Sequence, residues 1–349
     1  MIAVSVIVPT LNRAELLGGC LKSLAEQSFP QERFEVLVVD NGSTDGTAAL
    51  SEGAMRGAGI ANLRYVLEPE PGLLSGRHRG ALLAKGALLV FVDDDIIAAP
   101  GWLAALVRAF DDPQVHLAGG PSVGRFAVAP QPWFAHFERR EPWGATCPAL
   151  SLLHLGPEGR RVAPDDVWGL NYAIRRQTLL DLGGFHPDCI PARLQHFQGD
   201  GETGLSRKLA EGGHACVYVP QALVEHCIPA ARLTLEAFWR RFFYQGVCDS
   251  YSAIRRLGHA PPAPDAQALA ADTLAKQSLA AHHGPGRTEP ELLHIHQGYA
   301  EGYLFHGAAV AQSPALLSWV LRADYFDYRL PELEPGAAER IAALRGGAQ

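Results

Sequence analysis

Four short, almost wholly apolar runs in the first hundred residues, at 4–8, 34–39, 63–66 and 87–92, alternate with helical periodicity at 15–27, 47–56 and 75–84. Strands this apolar are covered on both faces, and strands separated by helices pair in parallel. The rhythm is that of a βαβ repeat, so the expected class is α/β with a mainly parallel sheet flanked by helices. Asp40 and Asp93 fall where the second and fourth runs end. Open α/β sheets bind their ligands outside that edge.

Composition narrows the function classes. A chain of 349 residues, 48% hydrophobic and 19% charged, has room for about two domains and is too apolar to stay disordered. Thirty Lys+Arg against 37 Asp+Glu leave a net charge of −7, which argues against a nucleic-acid binder that works by neutralising phosphates. The opening MIAVSVIVPTLNR has neither a basic n-region nor a small-residue cleavage site, so it reads as a strand rather than a signal peptide. Runs of about 18 uncharged apolar residues do not occur, so no membrane span is expected. The expected compartment is cytoplasmic. Six cysteines (Cys20, Cys147, Cys189, Cys216, Cys227, Cys248) lack a C-x-x-C pair and are expected to be reduced core residues.

Residues 121–148 mix Pro, Gly and Trp without a period and read as a long surface segment. A compact stretch follows at 168–226. Helical patterns then run over 233–257, 266–282, 290–311 and 314–326, separated by Pro/Gly-rich breaks. The first of these carries Phe238, Trp239, Phe242, Phe243 and Tyr244 beside Arg240 and Arg241. Such a basic-aromatic helix suits three roles: a core helix, a homodimer seam, or a peripheral membrane contact. The histidines of the tail (His282, His283, His294, His296, His306) show no metal-ligand frame and read as solvated.

Four motifs carry chemistry. Asp93-Asp94-Asp95 follows a buried strand, and adjacent acids repel, so the cluster calls for a cation. Oxygen-rich sites suit Mg²⁺ or Mn²⁺, which share their shell with substrate phosphates. The run VLVVDNGSTDGT ends a strand at Asp40 and supplies Asp45 to cap a helix. Pro9-Thr10-Leu11-Asn12-Arg13 is a polar, basic loop at the end of the first strand, suited to cup a nucleotide. The fourth motif, GLLSGRHRGALLAKG, opens a helix with Arg77, His78 and Arg79, and helix starts and arginines both favour anions.

Together, and in this order, the four motifs resemble the nucleotide-sugar-binding half of family 2 glycosyltransferases with the GT-A fold. The resemblance continues through GLNYAIRR, DLGGF, GDGETGLSRKLAEGG and VYVPQALVEH, and so covers about residues 1–230. It implies a GT-A-like, Rossmann-type domain at 1–230, with a donor-binding half at 1–100 and an acceptor-side half at 101–230. Residues 231–349 form a helical extension. The implied activity is a metal-dependent, inverting transfer from a nucleotide-diphosphate sugar, UDP-linked being the family's commonest case, to a small-molecule or glycan acceptor.

Carried over position by position, the resemblance implies that Pro9, Thr10, Asn12 and Asp40 bind the nucleoside, Arg77 the base or phosphates, and Asp94 the ribose. Asp95 is the implied main ligand of Mn²⁺ or Mg²⁺, with His226 as a second metal or diphosphate contact. Trp168 and Asn171 fall on the acceptor side, where Trp133 and Trp143 are further aromatic platforms. The family's Glu-Asp pair is altered here to Asp200-Gly201-Glu202. Counting back from Leu209 favours Glu202 as the base, whereas local similarity favours Asp200. His78-Arg79 stands where relatives have Asn after the Arg. Two alternatives remain open. One is a nucleotidyltransferase that makes a sugar nucleotide, against which PTLNR stands where such enzymes carry a Gly-rich loop. The other is a non-catalytic sugar-nucleotide-binding scaffold, favoured only by the altered 200–202 segment.

Overall fold

A computed structural model describes residues 1–57, 59–280 and 290–346. His282 and His283 lie outside the described residues. The chain divides into two compact units, the first comprising Met1–Ala127, Arg140–Phe185 and Glu202–Ile228, the second Val128–Arg139, His186–Gly201 and Pro229–Gln349. The second unit therefore takes two excursions from the chain upstream of residue 229.

In chain order the elements up to residue 228 are β1 (Val4–Thr10), α1 (Ala14–Ala25), β2 (Phe34–Asp40), α2 (Thr47–Gly57), β3 (Leu63–Leu67), α3 (Leu73–Leu83), β4 (Leu88–Val92), β5 (Ile96–Ala98), α4 (Trp102–Ala109), β6 (Val115–Gly119) and β7 (Ser122–Phe126). They continue with β8 (Arg139–Glu141), β9 (Gly144–Thr146), β10 (Arg160–Val162), β11 (Asn171–Arg175), α5 (Arg176–Asp181), α6 (Glu202–Glu211), β12 (Ala215–Tyr218) and β13 (Val224–Ile228). Within the first unit eight strands form one sheet in the order β10-β12-β6-β11-β4-β1-β2-β3. The strands β3, β2, β1 and β4 run parallel, and β11 returns antiparallel beside β4. A second sheet has the order β5-β13-β7. The four strands and three helices read from the first hundred residues are all present, and every residue of β1 and β2 is buried, as expected for strands covered on both faces. The fold is α/β with a helical C-terminal region.

The reading of 121–148 as a surface segment is corrected. Ser122–Phe126 pairs with β13 as a strand, and Phe134, Phe137 and Cys147 are buried. Here the apolar residues are covered by chain from far away in sequence, so no local period marks them. The cysteines also divide. Cys20, Cys147 and Cys216 lie in the core, Cys189 is exposed, and Cys227 and Cys248 are half-buried.

The second unit is built on α7 (Leu235–Leu257), α8 (Ala266–Ala280), α9 (Pro290–Val310), α10 (Pro314–Val320) and α11 (Ala337–Gly346). The Thr234 hydroxyl caps α7 by accepting from the Ala237 N–H at 3.1 Å. Gly258 ends it in the left-handed region at φ 79°. No described helix is long and apolar enough to cross a membrane. α7 buries Phe238, Val247, Tyr251 and Ile254, so it is a core helix of this unit. Its partner is α9, and three glycines set their spacing. A Cβ on Gly246 would meet the Tyr299 carbonyl oxygen, one on Gly302 the Phe243 carbonyl oxygen, and one on Gly298 the Trp239 carbonyl oxygen at 2.6 Å. Trp239 faces Gly298 and Phe243 faces Gly302, so the contacts advance together and the two helices run parallel. The expected helix at 314–326 stops at Val320, and beyond its end the Tyr325 hydroxyl donates to the Trp319 carbonyl at 2.6 Å.

The tail histidines are corrected too. His294 is exposed, but His296 and His306 are 1% and 0% exposed. Their Nδ1 atoms lie 3.1 Å from Thr273 Oγ1 and 3.0 Å from Ser250 Oγ, while each Nε2 has no hydrogen-bond partner among the described residues. Burial, reinforced by His136 and His196 respectively, pulls them down to about 4 and about 3 from the ordinary 6.5. Between those values and 6.5 the unfolded chain binds more protons than the folded one, so stability falls as pH falls through that window. Going from pH 7 to 5 is expected to cost about 2 kcal/mol per histidine. Denaturant melts across that range check it, and His306→Gln should remove about half of the slope.

Candidate active site at the carboxyl edge of the sheet

β1 lies between β2 and β4; the chain steps from β1 to β2 and β3 on one side and returns from β3 to β4 on the other, so the strand order reverses at β1, where open α/β sheets form their ligand crevice beyond the carboxyl ends. The loop after β1 meets the loop after β2. Asn12, at φ 54°, accepts from the Thr44 N–H at 2.7 Å and donates its own N–H to Ser43 Oγ at 2.8 Å. Asp45 accepts from the N–H groups of Ala14 at 3.1 Å and Thr47 at 3.0 Å. One carboxylate thus caps the starts of α1 and α2, and these bonds, the Thr47 hydroxyl's first, hold it below the usual carboxylate range. Asp40 is 1% exposed. Its oxygens accept from the Ser43 N–H and the Tyr65 hydroxyl, both at 2.8 Å.

The acid triplet follows β4. Asp94 and Asp95 are buried and Asp93 half-buried. Thr10 Oγ1 donates to Asp94 at 2.6 Å. Arg13 Nη1 donates to Asp94 Oδ1 at 3.1 Å and to Asp95 Oδ2 at 2.7 Å. Burial pushes the Asp94 carboxyl up to about 6 against the pull of Arg13 and Thr10, with Asp95 and Asp93 adding to the rise. Burial and then Asp95 push Asp93 up as well. The cluster therefore resists full ionisation unless more positive charge arrives.

His226 reaches the triplet through the second sheet. β13 pairs with β5 so that His226 stands opposite Ile96, and the Cys227 N–H donates to the Asp95 carbonyl at 2.8 Å. His226 Nδ1 lies 2.8 Å from the Leu150 carbonyl oxygen. A carbonyl only accepts, so Nδ1 carries the hydrogen, and Nε2 is left facing Asp95 Oδ1 at 3.4 Å. In neutral imidazole that nitrogen is an acceptor, and two acceptors at this separation need a proton or a metal ion between them. The donor set, one carboxylate and one imidazole, fits a divalent ion. Among the described residues no three His, Cys, Asp or Glu side chains are grouped to enclose one. An ion here would complete its shell from water and phosphate oxygens, as Mg²⁺ commonly does.

A second charged group stands beside the first. Arg77 on α3 is 3% exposed, with Nη1 3.4 Å from Glu202 Oε2, Nη2 3.9 Å from Asp93 Oδ1, and its guanidinium 5.0 Å from the Phe185 ring centre. Glu202 is in the first turn of α6, and its Oε1 accepts from the Gly169 N–H at 3.1 Å. A Cβ at Gly169 would sit on Arg77 Nη2, so a side chain here would push the guanidinium from its present position. The other sequence-derived acid, Asp200, belongs to the second unit. Its two oxygens lie 2.7 Å from His186 Nδ1 and 2.7 Å from Ser252 Oγ.

The remaining sequence-derived residues divide. Pro9 and Thr10 end β1 at the crevice. Trp168 is half-buried and its Nε1 donates to the Asp165 carbonyl at 2.9 Å. Asn171 is 2% exposed, accepts from Trp102 Nε1 at 2.9 Å and donates to the Ala222 carbonyl at 2.8 Å. Its amide thus joins the Trp102 indole to the Ala222 backbone. His78 is fully buried and accepts from the Phe185 N–H at 2.9 Å. Trp133 packs edge-on against Phe238 within the second unit, and Trp143 is 46% exposed. Arg13 and Gly169 lay inside motifs of the sequence reading but were given no individual role there. Arg13 lies next to Asn12 in the PTLNR motif, a signal that pointed to it, but its bond to residues 94 and 95 is a product of the fold.

The sequence model of Glycosyl transferase family 2 matches residues 5–174. An uncharacterized glycosyltransferase of Mycobacterium bovis, Mb0553, is 32% identical over 181 residues, 52% of this chain and 71% of that protein. The chain belongs to glycosyltransferase family 2. Another relative, glycosyltransferase AglE of Haloferax volcanii, is 37% identical over 118 residues, 34% of this chain. The chain spans only 38% of AglE's length. The mannosyltransferase PcManGT of Pyrobaculum calidifontis, solved with GDP-Man and Mn²⁺, superposes with a TM-score of 0.53 at 23% identity over 97% of this chain and 86% of that one. This last likeness establishes the shared fold of the family 2 domain.

Proposed function

We propose that the protein transfers a sugar from a nucleotide-diphosphate donor to a hydroxyl of a small-molecule or glycan acceptor, with inversion and with a divalent ion, Mn²⁺ or Mg²⁺, as cofactor. The observation that carries the reading is the opposed pair Asp95 Oδ1 and His226 Nε2, 3.4 Å apart, at the strand edge where ligands bind. Family membership and the Mn²⁺ and GDP-Man of PcManGT support it. Asp95 and His226 would hold the ion, which when bound supplies positive charge against the diphosphate.

The chain's own residues do the rest. Pro9, Thr10, Asn12 and Asp40 receive the nucleoside, and Asp94 the ribose. The Arg77 guanidinium offsets charge gathering on the departing diphosphate, a preorganised donor in a buried setting. With the leaving group stabilised as an anion, no general acid is required. Glu202 is the base: it takes the proton of the acceptor hydroxyl as that oxygen bonds to the anomeric carbon and the bond from carbon to phosphate oxygen breaks. Asp200, with both oxygens engaged by His186 and Ser252, is the weaker candidate. Trp168 offers a ring to the acceptor. The nucleotide base is an open choice between UDP, the family's common case, and others such as GDP.

Thermal unfolding with UDP, GDP, CDP and dTDP, each with and without Mn²⁺, tests the donor site. A ligand at 100 times its Kd stabilises the folded state by about 2.7 kcal/mol, several degrees of midpoint. One nucleotide should produce this shift only with Mn²⁺, and Asp95→Ala should abolish it. A flat response to every pair would overturn the donor assignment and favour the non-catalytic scaffold.

A further inference from the structure

Arg13 has no part in the roles above, yet its guanidinium bonds two members of the acid triplet. Its Nη1 is 3.1 Å from Asp94 Oδ1 and 2.7 Å from Asp95 Oδ2. The carboxylates are 5% and 2% exposed, whereas the Arg13 side chain is 40% exposed. The guanidinium therefore covers the buried acids from the solvent side, on a long stem that can swing away without opening the core. Asp95 turns its other oxygen, Oδ1, toward His226, so its two oxygens face different partners. Buried neighbouring carboxylates cannot all stay ionised without a compensating cation, and Arg13 supplies one from within the chain.

We propose that Arg13 is an internal counter-cation, neutralising Asp94 and Asp95 while the donor is absent and passing to the donor's diphosphate when ion and donor bind, so that the two bind cooperatively. The inference rests on the donor and metal assignments made above. An ion held by Asp95 and a guanidinium bonded to the same carboxylate repel each other. The ion alone must therefore displace Arg13 or tolerate it. A diphosphate removes the conflict, because its oxygens accept charge-assisted hydrogen bonds from arginine and also serve as ion ligands. Thermodynamic linkage makes the effect mutual: whatever factor the nucleotide adds to ion affinity, the ion adds to nucleotide affinity.

The test is a Mn²⁺ titration of the full chain followed by electron paramagnetic resonance of the free ion, alone and with UDP, GDP, CDP or dTDP. Arg13→Gln should bind Mn²⁺ alone at least about fivefold tighter than the wild type, the low end of ordinary coupling, and should lose a similar factor from the gain that nucleotide gives. Arg13→Lys, which keeps the charge, should bind Mn²⁺ alone as the wild type does. Equal Mn²⁺ affinity in Arg13→Gln and wild type, with Asp95→Asn losing the ion, overturns the role of Arg13 and leaves the metal assignment standing. Undiminished Mn²⁺ binding by Asp95→Asn overturns the metal assignment, and this inference with it. Should Arg13→Gln fail to fold, the wild type still decides: absence of mutual tightening between Mn²⁺ and all four nucleotides overturns the proposal.

Discussion

Glu202→Gln is expected to lower kcat for sugar transfer by about 10²–10⁴-fold, the usual contribution of a positioned base, and to leave the nucleotide- and Mn²⁺-dependent melting shift in place. The substitution is nearly isosteric. An amide oxygen at this position still accepts from the Gly169 N–H, now 3.1 Å from Glu202 Oε1, so the start of α6 is preserved while the proton acceptor is lost. Release of the nucleoside diphosphate from a matched sugar donor measures it. The partner experiment is Asp200→Asn. Because both Asp200 oxygens are engaged inside the second unit, this change should reduce stability more than turnover at saturating substrates. A Glu202→Gln enzyme with wild-type kcat would move the base elsewhere. A loss of the melting shift would instead mean that Glu202 acts in donor binding through Arg77, 3.4 Å away.

Gly302→Ala is expected to destabilise the second unit by about 3 kcal/mol, the upper part of the range for inserting a methyl into a packed interior. Its new Cβ would meet the Phe243 carbonyl oxygen of α7, a backbone atom that cannot rotate away. Gly307→Ala on the same helix provides the contrast. There the nearest atom to an added Cβ is Ser250 Oγ at 3.7 Å, ordinary contact distance. Alanine is the better helix former by roughly 0.5–1 kcal/mol, so this variant should be neutral or slightly stabilised. In denaturant melts Gly302→Ala should fall well below the wild type while Gly307→Ala matches or slightly exceeds it. Equal and small effects would mean that α7 and α9 part easily, and that the glycines do not set their spacing.

Local signals carried much of the first unit. Val6, Val36, Val38 and Val90 are fully buried in runs that only Ser5 and Glu35 interrupt, and that pattern selects a strand covered on both faces. The acids at the ends of β2 and β4 were legible for the same reason: polarity resumes where the sheet stops covering the chain. The C-terminal end of α7 was legible from the Pro/Gly-rich break that opens at Gly258, because a helix end of this kind is set by local backbone preference. Segments whose apolar residues are covered by distant chain gave no such signal. Phe134, Phe137 and β7 were misread as surface, and His296 and His306 as solvated.

For the site, sequence determined the residue types and the tertiary structure decided the pairings. Asp95 and His226 are 131 positions apart, yet pairing of β5 with β13 brings Oδ1 and Nε2 to 3.4 Å. Arg77 and Glu202 stand on separate helices, and the guanidinium meets the carboxylate at 3.4 Å beside Gly169, whose missing Cβ leaves it space. Spacing from Leu209 favoured Glu202 over Asp200 as the base, and local similarity the reverse; the Glu202→Gln and Asp200→Asn variants decide between them. In the fold, one has both oxygens engaged by His186 and Ser252 and the other is partly exposed beside Arg77. Asn171 shows the converse, since a polar residue in a motif turned out to spend its amide on Trp102 and Ala222. The physical reason is common to all of these. Periodicity, capping and strand-end polarity are set by neighbours within a few residues, whereas the direction and charge environment of a side chain are set by whatever the chain brings against it from far away.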